Sequence, residues 1–352
     1  MSRQVSPSVL HITDGDRKFI PQLIDFFERN FEPGAHEFVV MSRDEGRRLE
    51  GHRFVHVKDV RAVRRLGVDA REVDTVILHG LLDFYAVVAL KRSGIDLSKC
   101  RWGIWGGDLY CHSERAWSLR TLYRNWVRRS VVRRLGHALT FIEGDVELAR
   151  KWFGFQGKYQ ECLLYLSNTV RPQVEVRQDP CREVPGWNVI VGNSGYATNC
   201  HFAIFDRLCE QVGDWLGQVY CPLSYGNKSY IEEVVAKGNA CFGERFTPLL
   251  DFLPLDEYLG HLDKVDAAVY AHKRQQAMGN TIALLGMGKK VFLHSDVPQW
   301  STFTRLGIKV YDCTRLSPEA MPASVLEQNI RVTSEYFSEA NLVRQYESIF
   351  AG

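Results

Sequence analysis

Short apolar runs alternate with segments of helical periodicity along most of this 352-residue chain. Each apolar run is followed by a polar turn and then by apolar residues three and four positions apart. The strand-like runs of the first half are residues 8–13, 37–42, 52–58, 74–80, 100–106 and 137–143. This alternation predicts an α/β fold in which parallel strands are joined by crossover helices.

The alternation stops once, at residues 174–186, where charged residues and two prolines stand without an apolar period. We therefore predict two doubly wound domains, at residues 1–173 and 187–330, with residues 174–186 as the linker. Residues 331–352 are predicted to form a helical tail that packs back on the first domain. Ligands of such folds bind beyond the carboxyl ends of the strands, which predicts a shared cleft between the domains.

Composition narrows the class of protein. A net charge of +2 does not indicate a nucleic-acid binder. The nine cysteines are scattered and form no CxxC pair, which favours reduced thiols in a cytoplasmic protein over a disulfide framework or a zinc site. The start of the chain has no signal region, and no apolar run reaches the roughly 18–20 residues that span a bilayer. We expect a protein that is soluble or at most peripheral to a membrane.

The sequence VIVGNSG, at residues 189–195, is an apolar strand followed by small residues and then by a helix. Small residues let backbone amides approach a ligand, and a helix N-terminus favours anions. The candidate ligand contacts are Gly192, Asn193, Ser194 and Gly195, with Tyr225 after the next strand. The alternative is a tight turn in which Ser194 or Thr198 caps the helix.

A polar loop after another apolar strand opens a second helix at Gly279-Asn280-Thr281. Cations beside a helix N-terminus suit a diphosphate, because the backbone amides and the helix dipole meet its charge. The candidate contacts are Arg274, Gln275, Gln276, Gly279, Asn280 and Thr281, with Lys273 as a further cation. The alternative is a simple N-cap beside solvated cations.

Residues 115–134 contain seven arginines and no acid, interleaved with tryptophan and tyrosine. Such a helix can lie on an anionic membrane surface. The candidate contacts are Arg120, Tyr123, Arg124, Trp126 and Arg128. The alternatives are an amphipathic helix that packs on the core with a solvated basic face, and a helix that binds nucleic acid.

Five short motifs follow one another along the chain: LHG at 78–80, IWGGDLY at 104–110, VGNSG at 191–195, YIEEV at 230–234 and RQQxxG at 274–279. As an ordered set they resemble the 4-acetamido-4,6-dideoxy-D-galactosyltransferase family, and the scaffold resembles the GT-B glycosyltransferases. The resemblance implies two Rossmann-like domains facing a central cleft, the first binding the acceptor and the second binding a nucleotide sugar.

The resemblance also implies the substrates. The donor would be a dTDP-activated amino-deoxysugar, the acceptor would be carried on undecaprenyl diphosphate, and the product would serve enterobacterial common antigen synthesis. The enzyme would lie on the inner face of the bacterial inner membrane, with no cofactor besides its donor and no nucleic-acid partner. One position departs from the GT-B pattern: Ala283 stands where many such enzymes carry a glutamate for the ribose hydroxyls.

Glycosyl transfer requires a stabilised leaving diphosphate and, for an inverting enzyme, a general base near the acceptor hydroxyl. We expect no metal, because we identify no D-x-D acidic pair in a suitable strand-end loop. Asp108 is the first candidate for the base and His79 the second, followed by Asp14 and Asp16, with Asp14 also a candidate acceptor contact. The alternative for Asp108 is a helix cap, and a retaining enzyme would use it to bind substrate.

Two other classes of protein remain open. One is a nucleotide-sugar epimerase or hydrolase on the same scaffold, which would need neither a lipid acceptor nor the basic aromatic helix. The other is a protein that binds a nucleotide sugar without catalysis.

Overall fold

The computed structural model describes residues 7–112, 118–170 and 186–351. Almost all of the predicted linker at 174–186 therefore lies outside the described residues, as do residues 115–117 of the predicted basic helix. The chain divides into two compact units. The first unit is Met1–Ser167 with Glu339–Gly352, and the second unit is Asn168–Ser338.

The first unit contains a seven-stranded parallel sheet. Its strands are β1 (Val9–Thr13), β2 (His36–Ser42), β3 (Arg53–His56), β4 (Thr75–His79), β5 (Cys100–Gly103), β6 (His137–Thr140) and β7 (Lys158–Glu161). The helices between these strands are α1 (Ile20–Asn30), α2 (Val60–Asp69), α3 (Phe84–Ser93), α4 (Gly107–Tyr110), α5 (Leu119–Val132) and α6 (Glu143–Phe153). Every residue of β1 and β4 is buried, as expected for central parallel strands covered on both faces.

The second unit contains a six-stranded parallel sheet. Its strands are β8 (Trp187–Val191), β9 (Leu216–Pro222), β10 (Phe246–Leu249), β11 (Ala267–Tyr270), β12 (Lys290–Leu293) and β13 (Tyr311–Asp312). The remaining helices of the chain are α7 (His201–Gln211), α8 (Lys228–Phe242), α9 (Leu255–Asp263), α10 (Met278–Gly286), α11 (Pro298–Arg305), α12 (Ala323–Tyr336) and α13 (Glu339–Ala351).

Six strands of each sheet follow the same order, and the first sheet has β7 in addition. The first runs β3-β2-β1-β4-β5-β6-β7 and the second runs β10-β9-β8-β11-β12-β13. In each sheet the chain builds outward from the first strand in one direction and then returns to build in the other. The order therefore reverses between β1 and β4 and between β8 and β11, and doubly wound folds bind their ligands beside such a reversal.

The C-terminal region differs from the prediction of one helical tail at 331–352. Helix α12 belongs to the second unit, and only α13 belongs to the first. On α13 the Tyr346 ring lies 4.8 Å from Phe27 of α1, and its hydroxyl donates to the Leu164 carbonyl oxygen at 2.8 Å. Helix α13 therefore packs on α1 and on the segment that follows β7 in the first unit.

Two strands were absent from the sequence prediction. Strand β7 has the sequence KYQE and pairs on one side only, with β6. Strand β13 has two residues and pairs only with β12. Both strands lie at a sheet edge and have no fully buried residue, so their sequences carry no apolar run to detect.

Candidate functional site

The loops after β1 and β4 flank the reversal of strand order in the first unit. Asp14 follows β1 directly, and the next residue, Gly15, has a φ of +74°. A Cβ at Gly15 would lie 2.4 Å from the Arg47 carbonyl oxygen, so only glycine allows this close approach. The turn thereby holds Asp14 at the carboxyl edge of the sheet.

Asp14 is a carboxylate that is largely but not fully buried. It pairs with Arg47, whose Nη1 lies 2.8 Å from the Asp14 Oδ2, and 17% of the Asp14 side chain remains exposed. Burial raises the pKa of Asp14, and the nearby Arg47 guanidinium only partly offsets that effect. A carboxylate that is accessible and has a raised pKa can accept a proton from a substrate hydroxyl.

Asp14 and Asp16 form a D-x-D pair in a strand-end loop, which corrects the premise that no such pair is present. The structure gives the two carboxylates separate partners. Asp14 binds Arg47, whereas Asp16 accepts hydrogen bonds from the backbone N–H groups of Lys18 and Phe19. In the described part of the chain, no group of three or more histidine, cysteine, aspartate or glutamate side chains is placed to hold a metal ion.

Asp108, the first candidate for the base, lies in the interior with no exposed surface. Its carboxylate accepts hydrogen bonds from the Leu81 backbone N–H at 2.9 Å, the Trp102 indole N–H at 2.7 Å and the Trp105 backbone N–H at 3.0 Å. An acceptor hydroxyl cannot reach a side chain enclosed in this way. The geometry therefore assigns Asp108 a positioning role: it joins the loops after β4 and β5.

Arg128 reinforces the same junction from α5. Its side chain is 2% exposed, and its guanidinium donates to the backbone carbonyl oxygens of Leu81 and Asp108. The expectation that Arg128 contacts a membrane or an acceptor is therefore wrong in this structure, because the residue lies on the buried face of the helix. The sequence analysis grouped Arg128 with the other candidate contacts of this helix and did not predict that it would be buried.

His79, the second candidate, lies in a buried row of hydrogen-bonded rings. His79 Nε2 is 2.9 Å from His11 Nδ1, and His79 Nδ1 is 3.1 Å from the Tyr165 hydroxyl. His11 Nε2 is in turn 3.0 Å from His36 Nδ1. Burial lowers the pKa of His79 to about 3, so its ring is neutral near pH 7. With 1% exposure, His79 fixes Tyr165 rather than contacting an acceptor.

The second unit places two sequence-predicted loops at its own reversal, after β8 and β11. The amide of Gln276 donates to Asn193 Oδ1 at 2.8 Å, and the Thr198 hydroxyl donates to Gln276 Oε1 at 3.2 Å. Asn193 Nδ2 lies 3.4 Å from the Tyr225 hydroxyl. The structure thus brings Asn193, Tyr225 and Gln276 together, as the candidate list anticipated, and leaves all three partly accessible.

Asn199 organises this cluster, and the sequence analysis did not select it. Its Oδ1 accepts from the Asn193 backbone N–H and from His272 Nε2, both at 2.8 Å, and its Nδ2 donates to the Ser194 hydroxyl at 3.1 Å. A Cβ on Gly192 would lie 2.8 Å from the Asn199 Oδ1, which explains the glycine there. A lone asparagine in a polar turn carries no periodic signal that would have distinguished it.

Neither predicted cap is present at this turn. Helix α7 begins at His201 with Cys200 as its N-cap residue and no side-chain cap. Ser194 is instead buried as an acceptor for Asn199, so the alternative of a simple capped turn at Ser194 or Thr198 is wrong. Gly192 and Ser194 instead allow the Asn199 side chain to pack beneath the loop.

Helix α10 begins one residue before the predicted Gly279. Its N-cap is Ala277, which has a φ of +58°, an unusual left-handed conformation for a residue with a side chain. The first backbone N–H groups of such a helix have no partner within it and are available to an anion. Asn280 donates instead to the Tyr258 hydroxyl at 2.7 Å, and Thr281 is fully buried.

The cations and remaining amide of this loop flank that helix start. Lys273 is exposed, whereas Arg274 and Gln275 are half-buried. Arg274 lies close enough to His272 to contribute to lowering its pKa, although burial is the larger cause and the value falls to about 3. Ala283, at the position of the usual ribose-binding glutamate, lies on α10 without a polar group.

The outward side of α5 carries the other predicted contacts. Tyr123 and Trp126 are exposed, with rings stacked 6.2 Å apart, and Arg120 is exposed beside them. Arg124 lies over the Phe84 ring at 5.1 Å. Among residues 7–112, 118–170 and 186–351, none of the helices is both long and apolar enough to cross a membrane.

Several solved structures share the fold of this chain at low sequence identity. Sucrose-phosphate synthase from Thermosynechococcus elongatus aligns with a TM-score of 0.65 at 11% identity over 98% of each chain. Anabaena Alr3699/HepE in complex with UDP and glucose gives 0.64 at 11% over 98% of this chain and 99% of that one. The lipopolysaccharide outer core galactosyltransferase WaaB gives 0.61 at 14%, over 97% and 99%.

Two parallel Rossmann-like sheets and these neighbours establish a GT-B fold. The sequence model of one family matches residues 18–341, which is most of the chain and begins just after Asp14 and Asp16. That family is described as the 4-alpha-L-fucosyltransferases, glycosyl transferase group 56, and this chain belongs to it and is a glycosyltransferase.

Proposed function

We propose that this enzyme transfers a 4-acetamido-4,6-dideoxyhexose, or a similar amino-deoxysugar, from a dTDP-sugar to a saccharide linked to polyprenyl diphosphate. The product would serve cell-surface polysaccharide synthesis, of the kind represented by enterobacterial common antigen. The proposal rests most on the polar cluster at the strand reversal of the second unit, where Gln276 joins Asn193 beside the start of α10.

The donor diphosphate fits the start of α10. The first N–H groups of the helix, which have no partner within it, and the Arg274 guanidinium both favour negative charge. They favour it more as the leaving group departs. Lys273 is exposed in the same loop and adds a second cation. These groups can offset the leaving-group charge without a metal ion. Asn193 and Gln276 supply amide groups for the phosphate oxygens or the sugar.

The family description supports the class of sugar. Its members are described as fucosyltransferases, and fucose is a 6-deoxyhexose with galactose configuration. A 4-acetamido-4,6-dideoxygalactose differs from it by a nitrogen substituent at one ring carbon and by absolute configuration. The shared 6-methyl group requires a pocket without a partner for a 6-hydroxyl.

The acceptor hydroxyl would be deprotonated by Asp14. In an inverting transfer, the acceptor oxygen bonds to the anomeric carbon as the bond to the diphosphate breaks, and Asp14 takes the hydroxyl proton. Its partial exposure and raised pKa suit this role better than the enclosed carboxylate of Asp108. Arg47 then holds the carboxylate in place.

Thermal-shift titration with dTDP, UDP, GDP and NAD, each with and without EDTA, tests the donor. A ligand that binds only the folded state raises the melting temperature, and the rise grows with the ratio of ligand concentration to dissociation constant. We expect dTDP to give the largest shift and EDTA to leave it unchanged. A larger response to UDP would replace the dTDP donor with a UDP-sugar, and a response to NAD alone would overturn the proposal.

Transfer to a polyprenyl-diphosphate saccharide, followed by mass spectrometry, tests the reaction itself. We expect the product to gain one amino-deoxysugar residue. Release of free sugar without transfer would favour the hydrolase alternative, and conversion of the dTDP-sugar to its epimer would favour the epimerase. Tight dTDP binding with none of these products would indicate a protein that binds nucleotide sugars without catalysis.

A further inference from the structure

Helices α3 and α5 of the first unit lie side by side and present large apolar side chains to solvent. Leu119 is 88% exposed, Trp126 61% and Tyr123 57%. The full set, which we call the α3–α5 surface, is Leu82, Tyr85, Leu119, Leu122, Tyr123 and Trp126. Soluble proteins seldom expose so many large apolar groups together, so the surface indicates a binding face.

The surface is continuous between the two helices. Phe84 of α3 lies 6.1 Å from Tyr123 of α5 and 5.7 Å from Tyr85, measured between ring centroids. Tyr123 in turn stacks with Trp126. The aromatic rings of the two helices therefore form one connected group rather than isolated surface residues.

Basic groups border these rings. Arg43 lies over the Tyr85 ring at 4.1 Å, and Lys91 lies over the Trp126 ring at 4.7 Å. Neither α3 nor α5 contains an aspartate or a glutamate. Asp83, immediately before α3, is used locally: it caps the helix through the Tyr85 N–H and pairs with Arg43. The surface is thus apolar and cationic, which complements an anionic partner.

The mixture of side chains distinguishes between anionic partners. Tryptophan and tyrosine favour the interface of a bilayer, where an apolar ring is buried and its polar atom stays wet. Exposed leucines gain from contact with acyl chains, whereas they add nothing to stacking on nucleic-acid bases or to phosphate contacts. Leu119 and Leu122 therefore favour a lipid surface over a nucleic acid.

Two residues tie the α3–α5 surface and α5 to the strand-end loops, one in the segment before α3 and one on the inner side of α5. Leu82 packs on the Gly107 turn, where an added Cβ would lie 3.1 Å from its methyl carbon. Arg128, on the inner side of α5, donates to the Leu81 and Asp108 carbonyl oxygens. A surface that contacts lipid through α3 and α5 would therefore hold the carboxyl edge of the first sheet beside that lipid.

We propose that the α3–α5 surface docks on an anionic phospholipid bilayer and sets the carboxyl edge of the first sheet against it. The use of this docking rests on the proposed lipid-linked acceptor, which resides in a membrane; the docking itself rests on the exposed side chains alone. Leu119, Leu122 and Trp126 enter the interface, and the bordering cations meet the lipid phosphates.

Co-sedimentation with vesicles tests the docking. We expect the chain to bind phosphatidylcholine vesicles that contain phosphatidylglycerol and to bind pure phosphatidylcholine at least about tenfold more weakly. The double variant Leu119→Asp/Trp126→Asp should lose at least about tenfold in binding to the anionic vesicles. The matched control is Trp215→Asp, which removes a tryptophan that is 73% exposed in the second unit and should bind vesicles normally.

Other results would overturn the docking. Equal loss in Leu119→Asp/Trp126→Asp and in Trp215→Asp would show that no specific face is involved. Binding of single-stranded DNA that is lost in the double variant, with no vesicle binding by the parent chain, would assign the surface to nucleic acid. The dTDP thermal shift separates this proposal from the proposed function, since the double variant should retain it. Vesicle binding without any dTDP shift would leave the docking intact and reject the donor.

Discussion

At the reversal of the first sheet the strands end in a carboxylate and a row of buried rings, whereas those of the second sheet end in glycines, amides and an arginine. Six strands follow the same order in both units. Asp14 can take up a proton, while Gln276, Asn193 and Arg274 can hold an anion. The comparison shows that one topology supplies two chemistries, because the loops beyond the strands vary while the strands position them.

The two edges also differ in how they are held. The first depends on a buried carboxylate, since Asp108 joins two loops through three N–H donors. The second depends on a neutral amide, since Asn199 makes the equivalent connections. Removing a buried carboxylate or its hydrogen-bond partners destabilises a protein more than removing a buried amide does. The stability of the first unit should therefore be the more sensitive to substitution at this edge.

The largest expected effect is on the proton acceptor. Asp14→Asn should lower kcat by about 10²–10⁴-fold, because the amide cannot accept the hydroxyl proton. Affinity for dTDP, measured by calorimetry, should stay unchanged since the donor contacts are in the other unit. The matched control is Asp16→Asn in the same loop, which should keep most activity. Turnover near the parent value in Asp14→Asn would remove Asp14 from this role.

The next effect is on stability. Asp108→Ala should lower the free energy of unfolding by about 3–5 kcal/mol, because buried N–H groups of Leu81, Trp102 and Trp105 lose their acceptor. Urea denaturation measures the change. Asp83→Ala removes the half-buried cap of α3 together with its surface ion pair to Arg43, and should cost only about 1 kcal/mol. If Asp108→Ala instead lost activity at unchanged stability, the base role first considered for Asp108 would return.

A smaller effect concerns pH. Burial lowers the pKa of His79 from 6.5 to about 3. Between these two pH values the unfolded chain therefore binds a proton at His79 that the folded chain does not. The neutral ring therefore contributes stability that is present above pH 6.5 and is lost as pH falls below it. Relative to His79→Phe, the parent chain should lose about 1.4 kcal/mol more per pH unit between pH 6 and 4. Parallel urea midpoints for the two proteins over this range would contradict the assignment.

The smallest effect tests the amide bridge of the second edge. Gln276→Leu removes the hydrogen bond to Asn193 and should weaken dTDP binding by about 1 kcal/mol, or roughly fivefold. Calorimetry measures it. Gln328→Leu, which removes a glutamine hydrogen bond on α12 of the same unit, should leave dTDP affinity unaltered. Equal affinities in both variants would place the donor elsewhere.

Much of the fold could be predicted from the pattern of apolar residues along the sequence. Buried parallel strands such as β1, β4 and β8 are continuous apolar runs, and the crossover helices carry a helical period, so both were detectable. The edge strands β7 and β13 were not, because they bury too little surface to require apolar residues. The division of the C-terminal helices between the two units could not be predicted either, because an apolar helix face does not indicate which domain it packs against.

The candidate site was only partly predictable. Residues next to strand ends, including Asp14, Asn193 and Gln276, were selected because parallel strands place such loops at one edge. Their ranking was not predictable. Asp108 and Asp14 both follow strands, and only packing shows that three N–H donors enclose one while the other stays partly exposed.

The sequence by itself determined the class of fold, the approximate positions of the central strands and the loops that carry polar chemistry, because periodicity and turn residues act locally along the chain. Only the tertiary structure decided which polar groups are accessible and which are structural. Burial, pKa and hydrogen-bond partners depend on residues distant in sequence, as with Arg128 reaching the loop after β4 or Asn199 reaching His272. The local sequence pattern does not indicate which residues distant in sequence come into contact.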